Sequence, residues 1–330
     1  MGKFSTLLWQ VLRITVLEQG GAPVLPLAVD YALSMRSLTI DLDGPYHFAD
    51  YGGDGEPLVL AHGIGGSHIN WMAVAPALAE RHHVLAVDMV GFGLTPIAGR
   101  RADLPSQQRY LDRFISEVVG GRTTLFGHSM GGLVAMLQAA RSPASVERLV
   151  LVNPAVGVIR SSASAVPTWL MVAMGAYPSV GGRIAGLVSR SRGTDALVVD
   201  AFRRAFAPGN EIEQGLLKAH MELEARRATQ TTPYRGYIEA WRSMRNQRAV
   251  TDAWVEDVLT RIHAPTLLLF GSVDPLIGRR WFDRLARLRP DWDLACLDGV
   301  GHDPQMEAPE LFLDAVLRWL RTVMPAATPH

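Results

Sequence analysis

A chain of 330 residues, 48% apolar and 19% charged, has ample material for a buried core, which excludes wholesale disorder. Lys plus Arg equals Asp plus Glu at 32 each, so no net positive charge points to a nucleic-acid partner. The single Cys296 excludes an intramolecular disulfide framework and any multi-cysteine metal site. It is compatible with a reducing, cytoplasmic setting, and it is expected to pack in the sheet with no catalytic role.

Residues 4–17, FSTLLWQVLRITVL, are apolar but carry Gln10 and Arg13. A bilayer span needs about 20 mostly apolar residues, and a secretory signal needs more positive charge and a small-residue cleavage site. Phe4, Leu7, Leu8, Val11 and Leu12 recur at helical spacing, which predicts an amphipathic helix within an N-terminal extension over 1–37. Its apolar face is expected to meet the core, a second subunit or, with Trp9 as an interfacial residue, a membrane surface.

From Leu38 onward β-rich runs alternate with helical ones. Leu38–Leu42 and Tyr46–Ala49 read as two strands joined at Asp43-Gly44-Pro45. The apolar runs 57–61, 84–87, 124–126, 149–152 and 266–270 carry the mark of strands buried on both faces. Helical stretches over 70–80, 106–119 and 130–141 separate them. This rhythm predicts an α/β fold with a mostly parallel sheet flanked by helices. It stops at Asn153-Pro154 and returns at Ala264-Pro265. The core is therefore expected over 38–153 and 264–323, and residues 154–263 are expected to form a helical cap over the sheet's carboxyl edge, where such sheets bind ligands.

The chemistry concentrates at Gly127-His128-Ser129-Met130-Gly131-Gly132, a G-x-S-x-G between an apolar strand and a helix-forming run. A nucleophile elbow requires that setting: the turn is sharp, only small neighbours tolerate it, and the serine projects at a helix N-terminus. A serine hydroxyl needs a base and a group that orients the base. Asp274 lies just past the strand TLLLF, and His302 lies in Gly299-Val-Gly-His-Asp-Pro304, completing the order Ser, acid, His. An oxyanion hole requires N–H donors. Met130 supplies one, and Ile64, in the loop His62-Gly63-Ile64-Gly65-Gly66, is expected to supply the second. Gly91-Phe92-Gly93 lacks the rest of a dinucleotide fingerprint and reads as a turn. His82-His83 read as a solvated strand start.

Together these motifs, with Asp88-Met-Val-Gly91-Phe-Gly93, resemble the α/β-hydrolase superfamily, and within it the capped serine hydrolases. The resemblance implies an eight-stranded, largely parallel sheet with the cap inserted after strand six. It also implies Ser129 as nucleophile, His302 as general base then acid, Asp274 as its orienting carboxylate, and Ile64 and Met130 as oxyanion donors. Dehalogenases and epoxide hydrolases of this superfamily place Asp at the elbow, and Ser129 speaks against both. The expected activity is hydrolysis of a carboxylic ester of a fairly apolar small molecule, with no metal or organic cofactor. Two other readings stay open. One is a carbon–carbon bond hydrolase of a vinylogous diketone, whose usual Asn before the nucleophile and aromatic after the histidine are here His128 and Asp303. The other is a ligand-binding protein with little turnover.

Overall fold

The computed structural model describes residues 35–156, 193–230, 234–246 and 252–323, together with scattered positions between 180 and 191. The N-terminal extension expected over 1–37 lies almost wholly outside the described residues, as do residues 157–179 of the expected cap.

Eight strands form one sheet: β1 (Arg36–Asp41), β2 (Pro45–Gly52), β3 (Glu56–Ala61), β4 (His82–Val87), β5 (Thr123–His128), β6 (Val146–Val152), β7 (Thr266–Gly271) and β8 (Asp293–Leu297). Their order is β1-β2-β4-β3-β5-β6-β7-β8. β2 runs antiparallel to β1 and β4, and every other pairing is parallel. The β1–β2 hairpin turns through Asp43 and Gly44, both at positive φ, and the Gly44 amide donates to Asp41 Oδ1 at 2.7 Å. That is the turn chemistry the Asp-Gly pair predicts.

Alternation along the central strands divides the core into two layers. Val59, Ala61, Leu125, Leu149, Leu151, Leu268 and Phe270 face one side. Leu58, Leu60, Phe126, Val150, Val152, Leu267 and Leu269 face the other. The helices that cover these faces are α1 (Ala75–Ala79), α2 (Leu104–Phe114), α3 (Met130–Arg141), α4 (Thr194–Ala205), α5 (Gln214–Ala228), α6 (Arg235–Asn246), α7 (Asp252–Thr260), α8 (Arg279–Leu288), α9 (Pro304–Glu307) and α10 (Pro309–Thr322). In α3 every residue from Met130 to Ala140 is buried, which explains why its sequence is apolar all round. The stretch read as one helix over 70–80 is a 3-10 turn, His68–Trp71, followed by the short α1. Between β6 and β7 the described residues form α4 to α7.

One expectation is corrected. Cys296 is exposed, not packed inside the sheet. β8 is an edge strand whose residues 293, 294 and 296 face solvent, and the Cys296 thiol meets Arg279 Nη1 at 3.7 Å. A β8 run shorter and less apolar than the central strands is what an edge allows.

Candidate active site

The elbow forms where β5 passes straight into α3. Ser129 sits between them at φ 53°, ψ −115°, outside the ordinary basins for an L-residue. Its amide donates to Val152 O at 2.9 Å, and its carbonyl accepts from Gly132, Leu133 and Ala155. A Cβ on Gly127 would lie 2.4 Å from Gly131 O, and one on Gly131 would lie 2.4 Å from Ala61 O. Both glycines are therefore required by close backbone approach.

Asp274 follows β7. Its Oδ1 accepts the amides of Leu276 and Ile277 at 2.7 and 2.9 Å, which locks the carboxylate and leaves Oδ2 for the imidazole of His302. His302 Nδ1 donates to Asp274 Oδ2 at 2.7 Å, so Nε2, 2.9 Å from Ser129 Oγ, is the free base nitrogen. The structure thus brings together all three residues singled out in the sequence, from positions 129, 274 and 302. Burial opposes a charged imidazolium, yet the charge and hydrogen bond of Asp274 outweigh it and hold His302 above its ordinary pKa of 6.5.

The loop after β3 lies against this elbow. A Cβ on Gly63 would be 3.1 Å from the Ser129 Cβ and 2.9 Å from His128 Nδ1, so any side chain there would have to displace the His128 ring. His62 anchors the loop from inside. The Met89 amide donates to its Nε2 at 3.0 Å, which makes Nδ1 the protonated nitrogen, and Nδ1 donates to Gly63 O at 2.7 Å. Burial lowers the His62 pKa to about 4, so the ring stays neutral in this role. Ile64 is half-buried in the same loop, and Met130 is fully buried at the first position of α3, where an amide has no partner within the helix.

A profile of the alpha/beta hydrolase family matches residues 58–315, a span holding the loop after β3, the elbow, Asp274 and His302. The chain belongs to this family. Over 266 residues it is 26% identical to a pimeloyl-[acyl-carrier protein] methyl ester esterase of Aeromonas hydrophila, covering 80% of this chain and 95% of that one. An sn-1-specific diacylglycerol lipase of Danio rerio is 28% identical over 284 residues, 84% of this chain and 82% of the relative. A crystal structure of a serine hydrolase involved in carbazole degradation superposes with a TM-score of 0.69 at 22% identity, covering 88% and 100% of the two chains, a likeness of fold.

The α/β-hydrolase core of this chain also holds a buried cluster, His47 and His68 on Asp88, that spacing did not reveal. Asp88, fully buried at the end of β4, accepts His47 Nδ1 at 2.8 Å, His68 Nδ1 at 3.0 Å, the His68 amide at 2.6 Å and the Leu94 amide at 2.7 Å. The ligand atoms of His47, His68 and Asp88 lie within 4.8 Å of one another, close enough to hold a cation. Each imidazole already donates to the carboxylate, and four donors satisfy it, so the residues form a closed hydrogen-bond cluster as they stand. Burial disfavours the Asp88 anion, but His68 and His47 more than compensate and hold its pKa well below the ordinary value. The cluster also explains Gly93, whose Cβ would lie 2.1 Å from the Asp88 carboxyl carbon.

Helices from the segment between β6 and β7 grip the site loops. Arg227 of α5, buried, donates from Nη1 to Gly65 O at 3.2 Å and pairs with Glu224 at 3.2 Å. Gly91 and Gly236 pack backbone to backbone: a Cβ on Gly236 would be 2.6 Å from Gly91 O. The Gly91-Phe92-Gly93 turn is therefore a seat for α6. At the other side, the His302 amide donates to Ala205 O at 2.7 Å, and Glu307 accepts from Ala207 and Gly301, both at 2.8 Å. No local motif marks Arg227 or Glu307 for these roles, because Gly65 and Ala207 lie 162 and 100 residues from them.

Proposed function

We propose that this chain is a serine hydrolase that cleaves carboxylic esters of apolar substrates through an acyl-enzyme. The observation that carries the reading is the relay of 2.9 Å from Ser129 Oγ to His302 Nε2 and 2.7 Å from His302 Nδ1 to Asp274 Oδ2. In this mechanism the Ser129 hydroxyl proton passes to His302 Nε2 as Oγ attacks the ester carbonyl. Asp274 holds the imidazole in the tautomer that accepts the proton and stabilises the imidazolium. The amides of Ile64 and Met130 receive the oxyanion, each such donor being worth about 3 kcal/mol in the transition state. His302 then protonates the leaving alcohol, activates a water against the acyl-enzyme, and returns the proton to Ser129.

Relatives named for a pimeloyl methyl ester and for diacylglycerol support an aliphatic acyl group. The segment 154–263 acts in this reading as the cap that shapes the acyl site, since α4 to α6 reach the loops of Gly65, Gly91 and His302. No metal or organic cofactor enters any step.

The test is turnover of p-nitrophenyl esters of increasing chain length by the wild type and by Ser129→Ala, with fluorophosphonate labelling of Ser129 in parallel. Turnover and labelling that both vanish in Ser129→Ala are expected. A wild type that neither labels nor exceeds the variant overturns the reading in favour of ligand binding. A vinylogous diketone in the same panel separates ester from carbon–carbon cleavage.

A further inference from the structure

The segment that leaves β6 carries a side chain the mechanism above does not use. Asn153 is fully buried and adopts a left-handed backbone at φ 41°, a region that Asn tolerates better than most residues. Its Nδ2 donates to His302 O at 2.8 Å and to Gly301 O at 3.1 Å. Its Oδ1 accepts the Gly271 amide at 3.1 Å, at the end of the strand that launches Asp274. The residues beside it hold the nucleophile: Val152 O accepts the Ser129 amide at 2.9 Å, and the Ala155 amide donates to Ser129 O at 3.0 Å. Val152, Asn153 and Ala155 therefore hydrogen-bond between them to all three segments that carry Ser129, Asp274 and His302.

The His302 carbonyl has a second donor. His128 Nε2 lies 2.9 Å from it, and a carbonyl only accepts, so this nitrogen carries the proton. With its amide held by Ala205, His302 is pinned on both of its peptide groups. A histidine in a glycine-flanked loop has no intrinsic reason to hold its ring to hydrogen-bond tolerance, and these three donors and acceptors supply one.

We propose that Asn153 is a positioning residue for the catalytic relay: its amide ties the acid loop to the base loop, and its left-handed backbone ties both to the elbow. His128 shares the load at the His302 carbonyl. The inference rests on the serine-hydrolase reading for its kinetic consequence only, because the geometry of His302 is measurable without turnover.

The experiment compares Asn153→Gly and Asn153→Asp with the wild type. Glycine keeps the left-handed backbone and removes the amide, whereas aspartate turns acceptor oxygens toward two carbonyl oxygens. Three readouts are taken: kcat and KM per site titrated with fluorophosphonate, the labelling rate, and the low-field proton resonance of His302 Nδ1–H, assigned by its loss in Asp274→Asn. Thermal denaturation reports folding. The proposal expects both variants to fold, with kcat and labelling reduced about tenfold to a hundredfold, KM nearly unchanged, and the His302 resonance shifted or broadened. Folded variants whose kcat per titrated site and His302 resonance match the wild type overturn it. So does failure of both variants to fold, which makes Asn153 a structural brace. A wild type with a sharp His302 resonance that neither labels nor hydrolyses esters sinks the hydrolase reading instead, and the resonance in the two variants then decides the role of Asn153.

Discussion

Asp274 spends its two oxygens differently, one on the backbone of its own loop and one on His302. Asp274→Asn keeps the first set of bonds and presents an amide to Nδ1, which favours the wrong tautomer. A kcat loss on the order of 10³–10⁴-fold with a nearly unchanged melting temperature is expected, measured on the best p-nitrophenyl ester. In the proposed mechanism the proton at His302 sets the acid limb of the rate profile. Because its pKa lies above 6.5 in the folded chain, the base form, and with it kcat/KM, rises with pH through a midpoint above 6.5. Asp303, buried beside it and pushed up to about 6 by burial, adds negative charge that favours the imidazolium once ionised. Asp303→Asn therefore moves that midpoint to lower pH, and a pH–rate profile of the two proteins checks the direction.

Elements contribute by where their ends arrive. β5 and α3 meet in a turn that strains Ser129, and the strain persists because glycines at 127 and 131 let the helix close on β3. α5 adds a constraint from across the site. Arg227 holds Gly65 O, one residue beyond the expected oxyanion donor Ile64, and Glu224 holds Arg227. Arg227→Met preserves the apolar stem and removes the donor. The expected outcome is a fall in kcat of about tenfold with little change in KM, since a looser loop weakens the oxyanion contact more than ground-state binding. Steady-state kinetics across the ester series measures it. Equal loss in KM alone would place Arg227 in substrate binding rather than in loop support.

At the scale of the whole molecule the core buries charge and imidazole together. His62 and His220 are held neutral by burial, with pKa values lowered to about 4 and about 3, and His128 is lowered well below its ordinary value. Once unfolded, each regains a pKa near 6.5, so between about pH 6.5 and 4 the unfolded chain binds more protons than the folded one. Stability accordingly falls as pH drops through that window, by up to about 1.4 kcal/mol per pH unit for each such histidine. Asp303 acts in the opposite sense, because its raised pKa makes the folded chain take up a proton near pH 6. His302, whose pKa is raised, acts in the same sense as Asp303 but mainly above pH 6.5, so within the window the lowered His47, His62, His82, His128 and His220 leave the net slope downward. Melting temperatures recorded from pH 6.5 to 4.5 are expected to decrease steadily, and a flat curve would contradict the buried, neutral state of these rings.

The chain by itself determined what depends on neighbours in sequence. Apolar runs at strand length specify β3, β5, β6 and β7 as doubly buried, and their separation by helices specifies a parallel sheet; G-x-S-x-G between strand and helix specifies the elbow. Asp274 and His302 were legible because each stands just past a strand, and all parallel strands end on one edge. Tertiary structure alone decided the rest. The clustering of His47 and His68 on Asp88, the reach of Arg227 to Gly65, the bridging of Gly301 and Ala207 by Glu307 and the triple contact of Asn153 each join residues distant along the chain. A hydrogen bond between distant segments leaves no periodicity and no composition bias, so only the packing of strands and helices brings its two ends together.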